Sequence, residues 1–124
     1  MAGNNQIPLI PQKQIEDFCK MIGKLYQPDL IILFGSYSSN NAKQHSDVDL
    51  CIIKNTDQPH HKRGAEVRKL LLPYLHQFLF PKDIVVYTPA EFDSLKGHPN
   101  SFENTIWLTG KILYARPKLT EIMV

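Results

Sequence analysis

The chain has 124 residues, which is enough for one domain with a hydrophobic core but leaves little room for a second. Hydrophobic residues make up 43% of it and charged residues 21%, a composition that excludes an intrinsically disordered protein. The formal net charge is only +2, so charge alone gives no reason to predict nucleic-acid binding.

Cysteine usage and hydropathy exclude several other classes. The only two cysteines, Cys19 and Cys51, lack the dense spacing of a secreted disulfide scaffold or a zinc site, and we expect buried free thiols. The sequence shows no signal-peptide pattern and no apolar run of bilayer length. We therefore expect a cytoplasmic protein without membrane contact.

The chain opens with an irregular arm followed by a helix. Residues 1–11 contain Gly3, Pro8 and Pro11, which are typical of irregular backbone. From residue 12 to residue 26, apolar side chains recur at spacings of three and four, which predicts an amphipathic helix packed on a core. The residues of this stripe are Ile15, Phe18, Cys19, Ile22 and Leu25.

Two β-like runs then flank a polar loop. The first run covers residues 30–34 and ends at Gly35-Ser36, and the second covers residues 47–53. Because side chains alternate across a strand, Asp47 and Asp49 share one face of the second run, about 7 Å apart at their α-carbons. The loop between the runs, residues 37–46, is polar throughout and is predicted to move until a ligand arrives.

Paired carboxylates on a strand repel each other and lose hydration on burial, so a fold rarely keeps them without a compensating cation. Oxygen ligands from carboxylates, water and phosphates suit Mg²⁺. The Gly35-Ser36 step lets the backbone turn sharply, and its N–H groups and hydroxyl can hold phosphate oxygens. Taken singly, either feature is also compatible with an ordinary edge strand and turn.

The second half of the chain supplies scaffold and one more acidic candidate. Residues 60–63 form a basic cluster that we interpret as a solvated helix start, with Arg63 as a hypothetical triphosphate contact. Residues 66–80 have a wide apolar helical face that Pro73 interrupts. A third strand is predicted at 82–88, where Asp83 either joins the other two aspartates or merely caps the strand entrance.

The remaining elements complete an α/β pattern. We predict a short helix at 89–95, a helix at 101–109 with Ser101 as its N-cap, and a strand at 110–114. Trp107 is interpreted as a packing residue. The alternation predicts an α/β (α+β) domain in which a small mixed β-sheet carries helices mainly on one face and leaves the other face open for ligand.

One combined pattern resembles the signature of the DNA polymerase β-like nucleotidyltransferases. It consists of Gly35-Ser36, ten intervening residues, and Asp47-Val48-Asp49 within an apolar run. The likeness is greatest to the minimal nucleotidyltransferases (MNT), whose common Gly-x-x-Leu-Tyr ending is also similar to residues 110–114. The resemblance runs from about residue 15 to residue 114. We accordingly assign 1–11 to the arm, 12–116 to a nucleotidyltransferase domain and 117–124 to a C-terminal tail.

This resemblance implies a nucleotidyltransferase-like fold and a role for each motif residue. Gly35 and Ser36 would bind the nucleotide, with ATP as the substrate. Asp47, Asp49 and Asp83 would be catalytic and would hold Mg²⁺. In the resembled family, an acidic residue on the next strand of the core completes the metal site and activates the acceptor hydroxyl, a role that we carry over to Asp83.

The acceptor is left open by the sequence. MNT proteins commonly work beside a HEPN-domain ribonuclease as a toxin–antitoxin pair, so our leading hypothesis is adenylyl transfer from ATP to a hydroxyl of a HEPN-type partner protein. One alternative is a catalytically weak nucleotide-binding antitoxin that neutralises its partner by contact. This alternative is favoured by residues 37–40, Tyr-Ser-Ser-Asn, where MNT chains commonly carry arginine. Another alternative is an aminoglycoside-like small-molecule acceptor with the site completed by homodimerisation.

Overall fold

The computed structural model describes residues 9–117, so most of the predicted arm and nearly all of the predicted tail lie outside the described residues. No helix within this range is long and apolar enough to cross a bilayer. The elements in chain order are α1 (Gln12–Tyr26), β1 (Leu30–Phe34), β2 (Val48–Ile53), α2 (His60–Leu71), a 3-10 helix (Leu72–Gln77), β3 (Lys82–Tyr87), α3 (Pro89–Lys96), α4 (Phe102–Thr109) and β4 (Lys111–Ala115).

The four strands form one mixed sheet in the order β3-β2-β1-β4. Strand β1 pairs antiparallel with both β2 and β4, whereas β2 and β3 run parallel. A parallel pair needs a crossover connection, which α2 and the 3-10 helix provide. Pro73 lies at the start of the 3-10 helix, so the predicted interruption of this helical segment is confirmed.

One sheet face is covered by α1, α2 and the 3-10 helix. The apolar stripe predicted for α1 packs there, with only Leu25 partly exposed, and every second residue of β1, β2 and β3 contributes to the same core. The strand residues in this core are Ile31, Leu33, Val48, Leu50, Ile52, Ile84 and Val86. Burial of each such aliphatic side chain is worth about 1.5–3 kcal/mol, so this face fixes the strand register.

The second sheet face is covered at one end only. There, α3 and α4 pack Phe92 and Ile106 over Cys51 and Tyr87 in a smaller core. Cys19 and Cys51 are both buried free thiols, as predicted. The predicted α/β class with a small mixed sheet is confirmed, and the structure adds these two short helices to the face expected to be open. The opposite end of this face, where β2 and β3 begin, is left uncovered by them.

Helix α3 is held in place by a buried arginine. Arg63 is only 5% exposed, and its guanidinium donates to both carboxylate oxygens of Glu91 at 2.6 and 3.1 Å and to the Gln58 carbonyl at 2.8 Å. Glu91 also completes a capping box with Thr88 at the start of α3. The hypothesis that Arg63 contacts a triphosphate is therefore wrong, because its donors are used to join α2 to α3.

Glu91→Gln should destabilise the fold by about 1–2 kcal/mol, since it removes the charge that pairs with a buried guanidinium. Asp93→Asn is the matched control on the same helix. Asp93 is 69% exposed and pairs only with Lys96 at the surface, so the free energy of unfolding should change by less than about 0.5 kcal/mol. Urea unfolding at neutral pH measures both values.

The effect of Glu91→Gln should also depend on pH. Hydrogen bonds from Arg63 lower the pKa of Glu91 to about 2, below its usual 4.5. Ionised Glu91 therefore stabilises the folded state above pH 4.5, and this contribution is lost as the pH falls towards 2. The stability gap between wild type and Glu91→Gln should close over that interval, and a gap of constant size would contradict the ion-pair account.

Candidate functional site

Three aspartates come together at the uncovered end of the second face. Asp49 is the direct partner of Asp83 across the parallel β2–β3 pair, so both side chains project from the same face about 4.8 Å apart at the strand axes. Strand β2 begins at Val48, one residue later than predicted, so Asp47 lies just before the strand. Its charge still acts on the Asp49 carboxyl, which places it near the pair. Asp47 and Asp83 are exposed, and Asp49 is half-buried. These residues are referred to below as the acidic cluster.

The negative charge of the acidic cluster is not compensated by basic side chains. No ion pair within residues 9–117 involves any of the three aspartates. Lys82, the immediate neighbour of Asp83, instead donates to the carbonyls of Phe78 and Phe80 at 2.8 Å each. Burial raises the pKa of the Asp49 carboxyl above its usual range, and the charges of Asp83 and Asp47 raise it further.

Gly35 forms a tight turn directly against this cluster. Its φ of +76° lies in the left-handed region that favours glycine, and a β-carbon at this position would overlap the Asp49 carboxylate. After Gly35 the chain makes a helix-like turn, in which the N–H groups of Ser38 and Ser39 donate to the Gly35 carbonyl at 3.1 and 3.2 Å. The first N–H groups of such a turn have no acceptor within it, so those of Ser36 and Tyr37 are available to an anion.

The residues that follow Gly35-Ser36 are anchored to the body of the domain. The Tyr37 hydroxyl accepts from the Ile10 N–H at 3.2 Å, and the Ser38 hydroxyl donates to the Thr109 carbonyl at 3.1 Å. Ser38 is buried, although it belongs to a loop that the sequence predicted to be mobile. Tyr37 and Ser38 therefore fix the position of the turn through these hydrogen bonds. Neither side chain places a positive charge beside it.

The acidic cluster offers oxygen ligands of the kind that Mg²⁺ prefers. No group of three or more His, Cys, Asp or Glu side chains in the described part of the chain is arranged as a ready-made metal site. Like charges repel, so uncompensated carboxylates favour rotamers that separate their oxygens. Mg²⁺ also seldom has an all-protein cage and commonly shares its coordination with water and phosphate. The donor set thus fits a partial Mg²⁺ site.

His60 and Trp107 lie away from the acidic cluster, whereas an aromatic pair that the sequence did not predict lies beside it. His60 packs beside Tyr87 with ring centroids 5.7 Å apart, and Trp107 packs against Phe92, as its structural interpretation predicted. The unpredicted feature is an aromatic pair, Phe34 and Phe102, at the β1 side of the acidic cluster. The sequence signal for Phe34 is its position one residue before Gly35, whereas nothing local in the sequence connects Phe102 with the cluster.

Gly35→Ala should destabilise the fold by about 1–3 kcal/mol, because alanine is strained at positive φ and its methyl group would displace Asp49. Gly97→Ala is the matched control. Gly97 has a φ of −79°, and an added β-carbon there meets no atom within 4 Å, so its effect should stay within about 0.5 kcal/mol. Equal effects of both substitutions on thermal unfolding would contradict the close contact between Gly35 and Asp49.

Asp49→Asn should make the metal-free protein as stable as wild type or more stable at neutral pH. The folded state raises the pKa of Asp49, so it holds that proton more tightly than the unfolded chain does. Wild-type stability therefore falls as the pH rises from the unfolded to the folded pKa of this group, and the variant lacks that decline. Urea unfolding in chelator, from acidic to neutral pH, measures the free energy of unfolding of both proteins. A marked loss of stability in Asp49→Asn at neutral pH would contradict the repulsion between Asp49 and the other two aspartates.

Comparison with known proteins connects this geometry to a family. The family model for a nucleotidyltransferase domain matches residues 12–114. No curated protein matches the chain. Among solved structures, a toxin–antitoxin with AMP-PNP is similar with a TM-score of 0.55 and 20% identity, over 89% of this chain and 78% of that chain. A mutant of the toxin–antitoxin MntA-HpeT is similar with a TM-score of 0.52 and 18% identity, over 87% and 78%.

These structural likenesses confirm the predicted nucleotidyltransferase-like fold, and the family match confirms the enzyme class that the Gly-Ser and Asp-x-Asp motifs predicted. The chain belongs to the nucleotidyltransferase domain family and is a nucleotidyltransferase.

Proposed function

We propose that this chain transfers an adenylyl group from ATP to a hydroxyl of a partner protein, as the antitoxin of a cytoplasmic toxin–antitoxin pair whose toxin is of the HEPN type. The observation that carries the proposal is the register of Asp49 against Asp83 beside the Gly35 turn. Phosphoryl transfer depends mainly on positioning and charge neutralisation, and this arrangement serves both.

Asp47, Asp49 and Asp83 would hold Mg²⁺ in this proposal. When bound, Mg²⁺ supplies neutralisation of the carboxylates and of the negative charge that develops on the phosphates. The N–H groups of Ser36 and Tyr37 bind the outer phosphates, because they have no backbone acceptor within the turn. The anchoring of Tyr37 and Ser38 keeps this turn in one position relative to Asp49.

Asp83 is the carboxylate best placed to receive the proton of the acceptor. It is exposed and lies on β3, an edge strand of the sheet, so a partner protein can approach it from the side. The acceptor oxygen bonds to the α-phosphorus of ATP, the bond from that phosphorus to the bridging oxygen breaks, and pyrophosphate leaves. The hydroxyl proton passes to the Asp83 carboxylate.

A protein acceptor is supported by two facts. The acidic cluster lies on an open sheet surface, and no described element encloses a small acceptor above it. Both solved structures compared above are toxin–antitoxins, one of them with AMP-PNP, an ATP analogue. These likenesses support ATP and a toxin partner as the substrates to test first.

A second candidate, neutralisation by contact with little or no transfer, is favoured by the residues after Gly35-Ser36. Tyr37 and Ser38 stand where the resembled MNT family commonly has arginine, and their side chains are engaged with Ile10 and Thr109. The turn therefore offers phosphate its N–H groups and the Ser36 hydroxyl but no cationic side chain, which weakens the stabilisation of developing negative charge.

Incubation with labelled ATP, Mg²⁺ and the product of the neighbouring gene should label that protein. Asp49→Asn should reduce the labelling at least 100-fold, because positioned charge typically contributes a factor of that order or more. Asp57→Asn is the matched control, since Asp57 is an exposed aspartate beyond the other end of β2. Absence of label in the wild-type reaction would overturn the transfer proposal.

Asp47→Asn distinguishes the two candidates in cells that co-express the toxin. An enzymatic antitoxin should no longer protect when Asp47 loses its charge, whereas an antitoxin that acts by contact should still protect. Because Asp47 is exposed and lies outside the buried core, the variant should fold normally, which its circular dichroism spectrum and yield would verify.

A further inference from the structure

Phe102 is an exposed aromatic residue beside the acidic cluster. It is the first residue of α4 and is 54% exposed. Its ring lies 5.4 Å from the ring of Phe34 at an interplanar angle of 84°. Phe34 is in turn the direct cross-strand partner of Asp49, so the two phenylalanines border the cluster on its β1 side.

The attachment of α4 to the domain does not depend on Phe102. Ile106 is buried beneath the helix, and Glu103 accepts a hydrogen bond from the Tyr87 hydroxyl at 2.6 Å. The Asn104 side chain donates to the Lys96 carbonyl at 2.8 Å, and Ser101 caps the helix. These contacts hold α4 in place, while more than half of the Phe102 surface stays in contact with water.

The contact between the two rings leaves a face of Phe102 free. In an edge-to-face pair, one ring uses an edge and keeps both faces, and the other ring uses a single face. Whichever ring supplies the edge, Phe102 keeps at least one face that Phe34 does not cover. The free face of Phe102 is a flat, apolar surface. It lies roughly 10 Å from Asp49, a distance made up of the cross-strand spacing from Asp49 to Phe34 and the ring spacing from Phe34 to Phe102.

We propose that Phe102 is the stacking platform for the base of the bound nucleotide. The inference rests on the proposed function, because that function places the phosphates at the Gly35 turn and the acidic cluster. A base joined to those phosphates through its ribose then reaches the neighbouring ring. Stacking on an aromatic side chain is available to every base, and the larger purines gain most from the shared area.

The order of the strands separates this platform from the acceptor. Phe34, Asp49 and Asp83 form one row across β1, β2 and β3, so Phe102 and Asp83 lie on opposite sides of Asp49. The acceptor hydroxyl approaches on the β3 side and the base rests on the β1 side. Neither substrate therefore blocks the other.

The test compares the affinities of ATP and inorganic tripolyphosphate for the full chain in Mg²⁺, measured by isothermal titration calorimetry. Phe102→Leu keeps an apolar side chain against Phe34 and removes the ring, so it should weaken ATP binding roughly tenfold. Binding of tripolyphosphate, which has no base, should be unchanged. Phe102→Trp should retain ATP affinity, and Leu108→Ala, at a residue that is 71% exposed on the same helix, should alter neither ligand.

Unchanged ATP affinity in Phe102→Leu would overturn the platform and leave the proposed function intact. Equal weakening of ATP and tripolyphosphate would also overturn it, because the ring would then act only as structural support for Phe34 and the acidic cluster. A wild-type chain that binds neither ligand would overturn the proposed function and the platform together.

Discussion

The parallel pairing of β2 with β3 is the constraint on which the site depends. It sets Asp49 directly against Asp83, and the apolar residues on the opposite sheet face hold that register against the repulsion of the two charges. A slip of one residue would send the carboxylates into the core and the aliphatic side chains into water. The domain therefore keeps an unfavourable charge arrangement, which offsets part of its hydrophobic stability and which a bound cation would relieve.

The second face shows how the fold keeps that arrangement accessible. The Arg63–Glu91 ion pair joins α2 to α3, and the cores beneath α3 and α4 fill only the end of the sheet where β2 and β3 finish. The acidic end remains open, with Phe102 on one side and the β3 edge on the other. One sheet face thus carries both a structural half and a functional half, and Arg63, which the sequence suggested as a phosphate contact, belongs to the structural half.

Local patterns in the sequence were enough for the elements, the class of fold and the family. The stripe from Ile15 to Leu25 marked α1, Pro73 marked the helix break, and Gly35-Ser36 with Asp47 and Asp49 marked the nucleotidyltransferase motif. The partners of buried charges depend on contacts distant in sequence, so Arg63 was misinterpreted because Glu91 lies 28 positions away. For the same reason the sequence did not reveal Phe102, which is connected to Asp49 only through its contact with Phe34. It also could not decide whether Asp83 lies on the same sheet face as Asp49, because that depends on the β2–β3 register.

We expect a divalent cation to bind at the acidic cluster beside the Gly35 turn, and the proposed chemistry depends on it. The most direct measurement is paramagnetic broadening of backbone amide resonances when Mn²⁺ is titrated as a substitute for Mg²⁺. We expect broadening centred on residues 35, 36, 47, 49 and 83, with the amides of Asp57 and Glu91 unaffected. Broadening centred on other carboxylates, such as Glu16 and Asp17 of α1, or no localised broadening at all, would contradict it.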